Sequence, residues 1–176
     1  MSPLAHAVIL NLLVSVTLGA IPLFLWAGQP ATSQQGEVPQ FADLYEAALR
    51  SLPGFTQVED EIVFISMGRD EDGNYIDPTP EFLARFRDLK ASVKPASSAQ
   101  RVAKKAGSRL WRIEDRDTGK PGRLYSITVQ ERRAANEIVI DVGFVSASLG
   151  GAGQQQLYKW ANSGWRLEKI LSRWVS

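Results

Sequence analysis

Ile138-Val139-Ile140-Asp141-Val142-Gly143-Phe144, and after it Leu157-Tyr158-Lys159-Trp160, Asn162-Ser163-Gly164 and Trp165-Arg166-Leu167, form the stretch whose reading decides the fold. Ile138, Ile140, Val142 and Phe144 recur at every second residue, the period of a strand with one buried face. Asn162-Ser163-Gly164 is short and rich in turn formers, which predicts a hairpin between Trp160 and Trp165. Trp165, Leu167 and Leu171 open a last strand whose apolar phase shifts near Lys169-Ile170, the signature of a bulge. Upstream, Tyr125, Ile127 and Val129 keep the period of two. A turn over residues 117–122 separates them from a strand holding Leu110 and Ile113.

Further towards the amino terminus the period lengthens. Val93-Lys94-Pro95 reads as extended, and residues 98–106 as a further helix. Pro80 stands at a first helical position behind Thr79, and Phe82, Leu83, Phe86 and Leu89 line one face of a short helix. Ile62, Val63, Phe64 and Ile65 predict a buried strand. Phe41, Leu44, Tyr45, Ala48 and Leu52 predict an amphipathic helix over residues 40–52, ended by Pro53-Gly54. Helices first and a strand meander afterwards predict an α+β fold: a curved antiparallel sheet packed on amino-terminal helices.

Ahead of this domain, residues 8–26 carry no ionisable side chain. An apolar helix of about 20 residues matches the ~30 Å hydrocarbon core of a bilayer. Residues 1–28 therefore read as a signal peptide or a transmembrane anchor, residues 29–39 as a linker and residues 40–176 as the domain. The absence of a small-x-small cleavage pattern favours the anchor. A short leader ahead of a full domain places that domain outside the cytoplasm, membrane-anchored, or secreted or periplasmic if the leader is cleaved.

The 176 residues include no Cys, which closes thiol chemistry and cysteine-ligated metal sites. The single His6 lies in the leader, so the domain has no imidazole for a Ser-His-Asp triad or a metal. Any catalysis would rest on Asp, Glu, Lys, Tyr or Ser.

The closing segment, Leu157-Tyr158-Lys159-Trp160 through Trp165-Arg166-Leu167 to Trp174-Val175-Ser176, resembles the last hairpin of the NTF2-like (cystatin-like) superfamily. Asp77-Pro78-Thr79-Pro80-Glu81-Phe82-Leu83-Ala84-Arg85-Phe86 is similar to segments of exported bacterial proteins of that type. The resemblance covers about residues 38–176 and implies a cone-shaped sheet wrapped over helices around a pocket. That superfamily hosts isomerases, dehydratases and plain binding modules, so the resemblance implies no single activity. In its isomerases an acid sits in the pocket beside Tyr or a second acid. Asp141, embedded in an apolar strand, is the matching candidate here, although its alternation with Ile140 and Val142 points it to solvent.

Asp70-Glu71-Asp72-Gly73-Asn74 has Glu81 eleven residues after Asp70, so Asp70, Asp72, Asn74 and Glu81 occupy ligand positions of a calcium loop. Tyr75 stands where that loop needs Gly, and a solvated turn ahead of a Thr79-capped helix is the competing reading. Charge is segregated: residues 37–84 hold eleven acids against two Arg, residues 85–133 fourteen cations against five acids. Either the two segments neutralise each other on packing, or a basic patch meets an anionic partner. No aromatic-basic platform for nucleic acid is present. Gly150-Gly151-Ala152-Gly153 reads as a strand connection or bulge rather than a phosphate cradle, and Trp111, Trp160, Trp165 and Trp174 as core or pocket wall. The chain is expected to be a ligand- or protein-binding module needing no cofactor. Its partners would be the membrane, a protein or small apolar ligand, or a second copy in a homo-oligomer. The alternative is a small isomerase- or lyase-type pocket enzyme working through Asp, Tyr or Lys.

Overall fold

Eight strands join in one strongly curled sheet over few helices, a mixed α+β architecture. The computed structural model describes residues 41–176, all inside one compact unit, Gly36–Ser176. The expected leader over 1–28 and linker over 29–39 lie outside the described residues. Among the described residues no helix is long and apolar enough to cross a membrane.

The meander is formed by β5 (Gly122–Ala134), β6 (Glu137–Ala147), β7 (Gly150–Ala161) and β8 (Gly164–Val175), each antiparallel to the next. Asn162 and Ser163 close the last hairpin with φ of 51° and 62°, the double left-handed conformation of a two-residue turn. The bulge expected near Lys169-Ile170 is present: Gln155 faces Ser172 while Gln156 faces Ile170, and Tyr158 then skips to Leu167. Two further register shifts interrupt β5. Each bulge bends its strand and increases twist, which lets strands of eleven to thirteen residues roll up instead of running flat.

The sheet is not antiparallel throughout. β1 (Ile62–Ser66) lies parallel to both β2 (Val93–Pro95) and β5. A strand flanked on both sides and covered on both faces explains its uninterrupted apolar run. Val63 and Ile65 join one apolar cluster, Ile62 and Phe64 another. Pro95, which cannot donate to a ladder, sits on the strand that ends the pairing order. The helix expected over 98–106 is also corrected: β3 (Ala99–Ala103) pairs antiparallel with β4 (Trp111–Asp115). Ala, Gln and Arg carry helix propensity, but the ladder and the burial of Ala99 override it.

Helix α1 (Phe41–Arg50) buries Leu44, Ala48 and Leu49 against the inner face of the sheet, where Tyr125, Ile127, Ile138, Ile140, Val142 and Tyr158 meet it. Gly54, at φ 78°, turns the chain back so that Phe55 enters the same cluster. There Phe55 packs edge-on against Tyr125 and Phe86, with ring centroids 4.9 and 5.6 Å away. Phe82 and Phe86 arrive on α2 (Pro80–Leu83) and the 3-10 turn Ala84–Phe86. The Phe82 N–H donates to Thr79 Oγ1 at 3.2 Å, and Pro80 occupies the first turn, as the sequence predicted.

Candidate functional site

Alternate residues of the long strands build two different surfaces. A cavity of ≈ 290 Å³ opens beside the end of α1, between Leu52-Pro53 and the inward Phe144, Ala152, Gln154 and Val175, and reaches Gly153 and Trp174 at its rim. Its walls are mainly apolar. Gln154, almost fully buried, and Arg173 are the polar side chains on its border. Among the described residues, no carboxylate or lysine lines it. Deeper in, Gln156 Nε2 donates to Ser51 Oγ at 2.7 Å, and that hydroxyl donates to the Ala48 carbonyl at 2.7 Å. Burial pushes the Tyr125 and Tyr158 hydroxyls above their usual range.

Asp141 does not join them. Ile140 and Val142 on either side of it belong to the inner cluster with Tyr125 and Tyr158, so Asp141 points to the opposite face. It stands beside Thr128 and Gln155 in the ladder. Partial burial raises its carboxyl pKa, and a hydrogen bond with the Trp174 side chain acts the other way. Trp174 itself lies against Gly143 and Gly153. A Cβ at Gly153 would come within 2.6 Å of the indole, and one at Gly143 within 2.8 Å. The glycine run of β7 is therefore strand, and its Gly153 serves close approach by Trp174. Trp160 and Trp165 pack on each other at 5.4 Å, and Trp111 packs on the outer apolar cluster, so wall and core roles account for these three.

Of the calcium-loop candidates, Asp70 and Asn74 are brought into contact. Asp70 Oδ1 accepts from the Asn74 N–H at 2.8 Å and Oδ2 from the Asn74 side-chain amide at 3.2 Å, while the Asp70 N–H donates to the Asn74 carbonyl at 2.9 Å. This closes a tight turn around Gly73 at φ 82°, and Arg69 pairs with Tyr75 across it. Glu81 is held at the start of α2, where hydrogen bonds with its own backbone and Thr79 lower its carboxyl pKa. Asp72 is exposed on the tip. Among the described residues no group of three or more carboxylates is placed to hold a metal ion.

The segregated charge resolves into two parts. Around α1 the acidic and basic segments neutralise each other: Arg85 meets Asp43 at 2.7 Å and Glu46 at 2.8 Å, Lys90 meets Glu59 and Arg123 meets Glu61, both at 2.5 Å. The β3–β4 arm differs. Over residues 99–116 it carries six cations and two acids, and both acids are taken, Glu114 by Arg112 and Asp115 by Lys94 at 2.8 Å. Arg101, Lys104, Lys105, Arg109 and Arg116 make no ion pair among the described residues, and neither does Arg69.

Three of these unpaired arginines gather on the outer face. The Arg69 guanidinium lies 3.9 Å from the Tyr75 ring centroid and donates to Tyr75 Oη at 2.6 Å and to the Gly73 carbonyl at 2.5 Å. Arg101 lies 4.6 Å from the Trp111 ring and donates to the same Tyr75 Oη at 3.4 Å. Arg116 is anchored through Nε on the Ala99 carbonyl at 3.0 Å. Two adjoining cavities of ≈ 180 and ≈ 550 Å³ share Arg69, Tyr75 and Arg101, and Arg116 lines the larger. The sequence signalled excess positive charge here, but the meeting of Arg69 with Arg101 depends on β3 being a strand. Compared against protein families, curated proteins and solved structures, the chain matches no family model, no curated protein and no solved structure.

Proposed function

We propose that the chain is a ligand-binding module with an NTF2-like curled sheet, exported or held at a membrane by its apolar leader with the domain outside the cytoplasm. Its inner cavity takes a small, mainly apolar molecule. The observation that carries this reading is the cavity beside Leu52 and Phe144, which has apolar walls, a buried Gln154 for orientation and no acid–base pair. Pockets of about 300 Å³ and above hold small ligands, with a few polar groups fixing orientation. The alternative of proton-transfer catalysis in this pocket finds no support in its lining, and Asp141 stands on the other face.

The neutral fluorophore N-phenyl-1-naphthylamine tests the reading on the full-length chain. Saturable fluorescence enhancement is expected, with at least a tenfold loss of affinity in Ala152→Trp, which fills the cavity. Equal binding by a folded Ala152→Trp variant, or no saturable binding by the wild type, contradicts it. Membrane fractionation of the full-length chain and of a chain lacking residues 1–30 tests the leader, and full-length protein in the non-membrane fraction contradicts the anchor.

A further inference from the structure

We propose that Arg69 and Arg101, which meet at the Tyr75 hydroxyl on the outer face, and Arg116, which lines the same larger cavity, form a binding site for a phosphoryl group. Three features carry this. The guanidinia come from three separate segments, the turn before Tyr75, β3 and the residue after β4, and line adjoining cavities, with no carboxylate paired to any of them among the described residues. Each is fixed in place by contacts that leave N–H donors over: Arg69 by the Tyr75 ring and the Gly73 carbonyl, Arg101 by Trp111, Arg116 by the Ala99 carbonyl. The Tyr75 oxygen accepts from both Arg69 and Arg101, so its own proton is directed to a further acceptor.

A preorganised group of donors with unbalanced positive charge is complementary to an oxyanion. A carboxylate is planar and satisfied by one guanidinium fork. A phosphomonoester offers three terminal oxygens and close to two negative charges, which matches donors converging from three directions. Asp70, next to Arg69 in the chain, makes no ion pair with it among the described residues and instead accepts from Asn74 through both oxygens. Lys104, Lys105 and Arg109 extend the positive field beyond the cleft and speed the approach of an anion. The phosphoryl group is that of a soluble phosphate ester or of a phospholipid headgroup.

Calorimetric titration of the full-length chain in neutral detergent at low salt tests the site, with inorganic phosphate, glycerol phosphate and acetate as probes. Saturable phosphate binding is expected, weakened at least tenfold by Arg101→Gln and by Arg69→Gln, and severalfold by Tyr75→Phe, which keeps the ring under Arg69. Acetate is expected to bind at least tenfold more weakly than phosphate. Absence of saturable phosphate binding, equal binding of acetate, or binding unchanged in folded Arg69→Gln and Arg101→Gln variants overturns the proposal. Mixed micelles carrying phosphatidic acid separate the two sources. Tighter binding than to glycerol phosphate assigns a lipid headgroup, and equal binding assigns a soluble ester.

Discussion

Along β6, Ile140, Val142 and Phe144 turn inward beneath α1, whereas Asp141, Gly143 and Val145 between them turn outward. The inner side is one continuous aromatic and aliphatic cluster that buries one face of a helix, two short turns and the rings of Tyr125 and Tyr158. The outer side has a smaller cluster around Phe64, Ile113 and Leu124, and beyond it a rim of arginines and aromatic rings. The difference shows that one set of strands can divide its labour by residue parity. Inward positions hold the fold and leave an apolar cavity at its end, and outward positions leave charge unneutralised.

The inner side should break first. Phe55→Ala removes a fully buried ring from contact with Phe86 and Tyr125, and a loss of about 3–5 kcal/mol is expected in urea unfolding. Gln substitution of the exposed Arg101 should leave the same transition within about 0.5 kcal/mol. An equal cost at the two positions contradicts the division.

A second contrast lies within the outer face. Gly153→Ala places a methyl against the Trp174 indole and should cost about 1–3 kcal/mol. In a Trp174→Ala background that cost should largely vanish. Gly143→Ala should stay costly there, since its Cβ would also come within 2.8 Å of the Ala152 carbonyl. Identical behaviour of the two glycines removes Trp174 as the reason for Gly153.

Titration separates the two outward carboxylates. Hydrogen bonds from Lys94 and Thr118 hold the Asp115 carboxyl below its usual range. A group depressed on folding stabilises the protein above its unfolded pKa, near 4, and that contribution disappears as pH falls through the folded value. The stability gap between wild type and Asp115→Asn should therefore be full at neutral pH and close in acid. Asp141 has the opposite sign: its raised carboxyl is a cost that grows as pH rises through the folded pKa. Asp141→Asn should leave the melting temperature at pH 7 unchanged or slightly higher, and a clear fall would mean that the charge supports the Trp174 contact.

Much of this architecture is legible in the sequence because it is local. Period-two runs, the Asn162-Ser163 turn, the phase shift in the last strand and the Thr79-Pro80 cap each specify their own geometry within a few residues. The parallel pairing of β1 is not local, since residues 62–66 and 122–126 lie about sixty apart and an apolar run does not say which neighbour it takes. The composition of residues 98–106 favours a helix, but propensity is weaker than the ladder that residues 99–103 form with β4. The outer site is not legible in that composition, since it exists only because β3 carries Arg101 to Tyr75.

The division between the faces is tested most directly by amide chemical-shift mapping on the isotopically labelled full-length chain, with N-phenyl-1-naphthylamine and inorganic phosphate added separately. Shifts clustered near Leu52, Ala152 and Gln154 for the fluorophore, and near Arg69, Tyr75 and Arg101 for phosphate, are predicted. A single shared set of shifted amides, or no localised shifts with either probe, would contradict it.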